Sequence, residues 1–193
     1  MDRGMKIGVL AIQGDFSKHF DMCRLLKVDV ISVKTPSELD RCDGLIIPGG
    51  ESTTFVNLIQ RNNLYDKIKK FALERPLFGT CAGLIILAKK ITNNGVESLD
   101  ILDMEVARNA YGRQVNSFID TLKIDLGKGF IDFEGVFIRA PKISRIGAGI
   151  KVIGWHGEDS VLAEKDNILV ATFHPELTDD TRIHEYFLQK IRG

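Results

Sequence analysis

The first half of the chain alternates short apolar runs with stretches of helical spacing, and few folds accept that pattern. Lys6–Ile12 reads as a strand closed by Gln13-Gly14. Val28–Val33 is β-branched and stops at Thr35-Pro36, Gly44–Ile47 ends at Pro48-Gly49-Gly50, and Leu77-Phe78 is a short fourth strand. Between them, Phe16–Leu26 has helical spacing, with Phe16, Phe20, Cys23 and Leu26 facing inward. Ser52 or Thr53 caps a helix running to about Arg61, Tyr65–Leu73 forms another that ends at Glu74-Arg75-Pro76, and Ala82–Lys90 a further one. Strands separated by helices imply βαβ units, hence an α/β fold with a mostly parallel sheet flanked by helices.

The second half changes character. Asp103–Arg108, Ser117–Asp125, Gly135–Arg139, Lys151–Gly154, Ser160–Glu164 and Ile168–Phe173 are strand candidates, several with period-two alternation. Some of them are expected to form antiparallel extensions, and a helix over Thr181–Ile191 closes the chain. No repeat or linker interrupts the 193 residues, so one domain over 1–193 is expected, long enough to bury a single core. Apolar residues make up 44% and charged residues 27%, an ordinary globular composition. Lys plus Arg and Asp plus Glu are 26 each, so no basic excess points to nucleic acid. Apolar stretches such as Leu84–Ala88 fall far short of the run of about 18 residues that a membrane span needs. Met1–Met5 is charged and runs straight into a strand, which does not read as a signal peptide; Met1 and Met5 both fit as the start. A cytoplasmic protein is expected. Its three cysteines, Cys23, Cys42 and Cys81, are then free thiols, and none pair at C-x-x-C spacing. Cys23 and Cys42 read as packing residues. His19, His156 and His184 show no metal spacing, and His156, beside Trp155, reads as a loop residue. No metal site and no cofactor are expected.

The chemistry concentrates at three places. Gly79-Thr80-Cys81-Ala82-Gly83 lies between a strand and a helix and has the form of a nucleophile elbow, with Cys in place of Ser. The tight turn lifts the side chain to the carboxyl edge of the sheet, and the helix N-terminus favours a thiolate. Alone, it fits a reactive thiol or a buried structural cysteine. Phe173-His174-Pro175-Glu176 follows the last apolar strand, which places His174 at the same edge. His174 and Glu176 are two residues apart, so in extended chain they point to one side. A carboxylate there fixes the imidazole tautomer and stabilises its protonated form. As an isolated tripeptide this is a weak signal; with the elbow it completes a triad. Third, Gly49, Gly50 and the Ala82 N–H are candidates for an oxyanion hole. The segment is not a phosphate loop, because no Gly-Lys-Ser/Thr follows. Ser52 is a rival nucleophile in principle, but its surroundings lack an elbow's closing glycine, which suits a cap or a ligand contact better.

Elbow cysteine plus C-terminal His-x-Glu resembles the class I glutamine amidotransferases. Pro48-Gly49-Gly50-Glu51-Ser52-Thr53-Thr54, Phe78–Leu84, Arg108-Asn109-x-x-Gly112-Arg113-Gln114, Phe137–Pro141 and Phe173–Thr178 are together similar to the glutaminase subunits of pyridoxal 5′-phosphate synthases. The resemblance implies a flavodoxin-like sheet and hydrolysis of L-glutamine by Cys81, His174 and Glu176. It implies glutamine contacts from Gly50, Glu51, Ser52, Arg108, Ile138 and Arg139, and places Gln13 near the oxyanion region. Arg108 and Arg139 suit a carboxylate and Glu51 an ammonium, although from the residues alone each arginine fits a surface ion pair. It further implies that ammonia passes to a (β/α)₈-barrel synthase subunit in a large hetero-oligomer, and that the Gly49-Gly50 peptide reorients when that partner binds. A chain of this length shows no second domain to accept ammonia, which free in water would be protonated and lost, so a tight partner is expected.

Two other readings remain. A glutaminase subunit for imidazole glycerol phosphate, anthranilate or guanylate synthesis shares the triad, and the Arg108 and Ile138-Arg139 blocks argue against it. A non-catalytic redox or stress module needs the elbow cysteine but neither His174 nor Glu176.

Overall fold

A computed structural model describes residues 4–92, 97–108, 110 and 117–192. Asn109 and Gly112–Gln114 of the Arg108 block lie outside the described residues. The first half alternates as expected: β1 (Lys6–Leu10), α1 (Ser17–Leu25), β2 (Asp29–Val33), α2 (Pro36–Leu39), β3 (Gly44–Ile47), α3 (Ser52–Arg61), α4 (Tyr65–Glu74), β4 (Leu77–Thr80) and α5 (Ala82–Leu87). There follow β5 (Ala88–Thr92), β6 (Leu102–Ala107), β7 (Ser117–Asp125), β8 (Phe130–Ile138), β9 (Lys142–Ile146), β10 (Lys151–His156), β11 (Asp159–Lys165), β12 (Ile168–Ala171) and α6 (Arg182–Arg192).

Among the described residues the main sheet has nine strands in the order β2-β1-β3-β4-β12-β11-β10-β7-β8. β2, β1, β3, β4 and β12 run parallel, and β11, β10, β7 and β8 extend them antiparallel. A second, three-stranded sheet has the order β5-β6-β9. The central strands are buried on both sides, so they read as continuous apolar runs, and their alternate residues serve two cores. Leu45, Ile47, Leu77, Ile168 and Val170 pack with α3, α4, α5 and the small sheet. Ile46, Phe78, Leu169 and Ala171 pack with α1 and α6. The register sets Ala171 against Thr80 and Ile47 against Gly79, so the chain leaves β3, β4 and β12 at one edge.

Several local expectations are corrected. Thr35-Pro36 does not merely stop a strand. Thr35 and Glu38 form a capping box with Pro36 in the first turn, which starts α2. The helix expected to Lys90 ends at Leu87, because Lys90–Thr92 pair with Glu105–Ala107 of β6. β8 begins at Phe130 rather than Gly135, and β9 was not expected at all. The cap of α3 is Glu51, not Ser52 or Thr53: its carboxylate accepts from the N–H groups of Thr53 (3.0 Å) and Thr54 (2.7 Å). His156 is not in a loop; it ends β10 and pairs with Asp120 at 2.9 Å.

Candidate active site

The elbow takes the strained form its sequence implies. Cys81 follows β4 with φ 48° and ψ −103°, a left-handed conformation rare for a side-chain-bearing residue and costing about 1–3 kcal/mol in general. Two features hold it there. Its N–H donates to the Ala171 carbonyl (2.9 Å), and Gly83 lies so close to the Ile47 carbonyl that any Cβ would overlap it. The Cys81 thiol faces the Ile138 carbonyl at 3.8 Å.

His174 comes from the neighbouring strand end. Its N–H donates to the Val136 carbonyl (2.8 Å), which ties β12's exit to β8 and carries Ile138-Arg139 to the same place. The chain from His174 to Glu176 is not extended, as the two-residue spacing suggested. Pro175–Leu177 form a single 3₁₀ turn, and the turn brings His174 Nδ1 to 2.7 Å from Glu176 Oε1. Both residues are buried. Burial pushes the His174 imidazole down, but its hydrogen bonds to Cys81 and Glu176 outweigh this and lift it to about 10. Burial works to raise the Glu176 carboxyl, yet the neighbouring His19 and His174 hold it below the usual carboxylate range. The arrangement therefore favours the protonated form of an imidazole set beside a sulfur and a buried carboxylate.

A cavity of about 580 Å³ opens over this group. Cys81 and His174 line it, as do Gly49, Gly50, Glu51, Ser52, Arg108, Ile138 and Arg139 from the sequence reading. Ala82 is fully buried at the start of α5. Gly49 packs against both catalytic candidates: a Cβ there would overlap His174 and touch that of Cys81 at 3.4 Å. Gln13, in the loop after β1, braces the glycine loop. With its amide oriented by hydrogen bonding, its oxygen accepts from Glu51 N–H (2.9 Å) and its nitrogen donates to Glu51 C=O (3.3 Å). Arg108 forms the ion pair foreseen for a surface arginine, but inside the cavity wall: it reaches Glu51 Oε1 at 3.1 Å and Thr53 Oγ1 at 3.3 Å. Burial works to raise the Glu51 carboxyl, but donors from Thr54 and Thr53 bring it down to about 2. Ser52 Oγ is buried in the wall with no hydrogen-bond partner among the described residues.

A family model for the SNO glutamine amidotransferases matches residues 9–192. The chain belongs to the SNO glutamine amidotransferase family. This amidotransferase is 50% identical over 190 residues to a protein of Thermosipho africanus named pyridoxal 5′-phosphate synthase subunit PdxT, covering 97% of this chain and 100% of that one. It is 46% identical to the protein of the same name from Koribacter versatilis, covering 98% and 97%. A crystal structure titled glutamine amidotransferase superposes with a TM-score of 0.91 at 42% identity, covering 97% and 99%.

Two histidines that the sequence reading set aside lie close to the group of Cys81, His174 and Glu176. His19 and His184 lie fully buried behind Glu176. A signal for both was present in the helical spacing. His19 stands four residues before the inward Cys23, and His184 sits in the Ile183-His184-Phe187-Leu188 stripe of α6. Cys23 and Cys42 are packing residues, as read: burial pushes their thiols up to about 12 and about 11.

Proposed function

We propose that the chain hydrolyses L-glutamine to L-glutamate and ammonia, with Cys81 as nucleophile, His174 as acid–base and Glu176 as its partner. It releases the ammonia to the synthase subunit of a pyridoxal 5′-phosphate synthase. The observation that carries this is the meeting of Cys81 and His174 at one cavity wall, from strand ends far apart in sequence, with Glu176 buried against His174. The relatives' names support the synthase assignment.

In this mechanism the Cys81 sulfur bonds to the carboxamide carbon, and the carbonyl oxygen becomes an oxyanion. N–H groups of the Gly49-Gly50 region and Ala82 receive it, once the glycine peptide has turned toward the pocket. The His174 imidazolium gives its proton to the leaving nitrogen as the C–N bond breaks, and ammonia departs. Water, deprotonated by His174, adds to the thioester; the C–S bond breaks and glutamate is formed. Glutamine's ends are held by groups already aligned. The Glu51 carboxylate has about four acceptor positions. Backbone N–H groups of Thr53 and Thr54 and the Arg108 guanidinium occupy part of these, and Glu51 lines the cavity, where its carboxylate suits an ammonium. Arg108, Arg139 and the Ser52 hydroxyl suit the α-carboxylate.

The chain acts as one domain in the cytoplasm, and its partner is a (β/α)₈ barrel in a large hetero-oligomer. The test is glutamine hydrolysis with the synthase subunit titrated in. Activity rises to saturation with the partner and falls to background in Cys81→Ala. Full activity in Cys81→Ala, or an unchanged elution volume on mixing the two subunits at micromolar concentration, refutes the reading. A glutaminase of another pathway would respond to a different synthase subunit in the same titration.

A further inference from the structure

The two buried histidines form a chain that ends on the triad. His184 Nε2 lies 3.0 Å from His19 Nδ1. His19 Nε2 lies 3.2 Å from Thr80 Oγ1 and 3.5 Å from Glu176 Oε1. Thr80 immediately precedes Cys81, so His19 touches both the base of the elbow and the acid end of the triad.

Hydrogen-bond arithmetic selects the tautomers. Among the described residues, His184 Nδ1 is buried with no partner. If His19 Nδ1 carried the proton, it would donate to His184 Nε2. His184 would then hold its own proton on Nδ1, an orphaned buried donor. His19 Nε2 would also turn a lone pair toward a carboxylate. The opposite assignment leaves only an unpaired acceptor at His184 Nδ1 and faces an N–H toward Thr80 and Glu176.

We propose that His19 is a positioning residue of this active site: a neutral Nε2–H tautomer, set by His184, that holds Glu176 and Thr80 in register with Cys81. The inference rests on the triad reading above. The titratable groups facing His19 are Glu176 and His174 at the end of β12, Asp15 before α1, and His184 on α6. Burial pushes both His19 and His184 down, His184 to about 3, so both rings are neutral at pH 7. His19 thus supports Glu176 as a dipole. A second buried cation beside His174 would compete with it for the one carboxylate.

Two experiments test this. In the first, ring ¹⁵N NMR of the wild-type chain, which needs no variant, shows His19 and His184 as neutral Nε2–H tautomers at pH 7. In His184→Leu the His19 ring shows mixed tautomers. In the second, glutamine hydrolysis is followed against pH with the synthase subunit present. His19→Met lowers kcat by about tenfold or more with KM little changed, and moves the acid limb of kcat/KM upward, because Glu176 loses a donor. His19→Gln, which keeps an N–H near the Nε2 position, recovers most of kcat. A His19 Nδ1–H or imidazolium pattern in the wild type overturns the proposal, as does a wild-type kcat and pH profile in His19→Met. Glu176→Gln separates the two readings. If it keeps full activity the triad itself is wrong; if it loses activity while His19→Met does not, only the role of His19 fails.

Discussion

Gly49 has no room for a side chain, and that single absence shapes the catalytic wall. A methyl group there would overlap His174 and reach contact with Cys81. Gly49→Ala is therefore expected to lower kcat by about a hundredfold through misplacement of the imidazole. Its urea midpoint should change far less, because the residue borders a cavity. Steady-state kinetics alongside urea unfolding checks this; unaltered kcat would contradict the packing. At this scale much was legible beforehand. Cys81, His174 and Glu176 stood in motifs whose chemistry is local. The resemblance implies a glutamine contact for Glu51, but its role as a helix cap is not legible, since caps favour shorter side chains. His19 and His184 show no metal spacing along the chain. Their meaning depends on α1 and α6 packing together, which no spacing along the chain reveals.

Among the elements, α2 shows how much a few side-chain bonds support. It has four residues, too few for helix propensity to hold it. Glu38 Oε2 accepts from the N–H groups of Lys34 (2.7 Å) and Thr35 (2.9 Å). These bonds hold the Glu38 carboxyl below its ordinary value. Glu38→Ala should cost about 1 kcal/mol, measured by urea unfolding at pH 7, with no loss of glutamine hydrolysis. The depressed value means the contribution is present at neutral pH and fades as acid protonates the carboxylate. The Thr35–Glu38 signature is visible in the sequence, but Pro36 alone fits a break equally well. The α5–β5 boundary was hidden for another reason. All six residues of α5 are buried, so no polar face marks where the helix stops. The partner of β5 lies about ten residues further on, and pairing with it overrides local preference.

For the whole molecule, the buried imidazoles set opposing responses to pH. His19 and His184 have folded values below the unfolded value of about 6.5. In acid the unfolded chain takes up these protons first. Their stabilisation is complete above pH 6.5 and is lost as pH falls, at up to about 1.4 kcal/mol per unit for each ring. His174 has the reverse sign. Its value is raised to about 10, so its contribution is complete below about pH 6.5 and lost as pH climbs toward 10. The urea midpoint should be highest near neutrality, and His184→Leu should flatten the decline between pH 6.5 and 5 but not the alkaline one. An unchanged acid slope in that variant would refute the assignment. The overall architecture was largely readable, because βαβ alternation narrows topology strongly. The order of the antiparallel strands was not, since it depends on pairings between distant segments.

The position of β12 has a consequence for how the protein is made. Synthesis runs from the amino end, so the elbow strand β4 leaves the ribosome well before the strand that will lie beside it. Until β12 arrives, β4 presents an unpaired apolar edge, the kind of surface that recruits other chains. During the same interval Cys81 has neither His174 nor Glu176. An unfinished copy is therefore exposed to aggregation and, on the proposed triad, has no means of hydrolysing glutamine until the centre of the sheet closes.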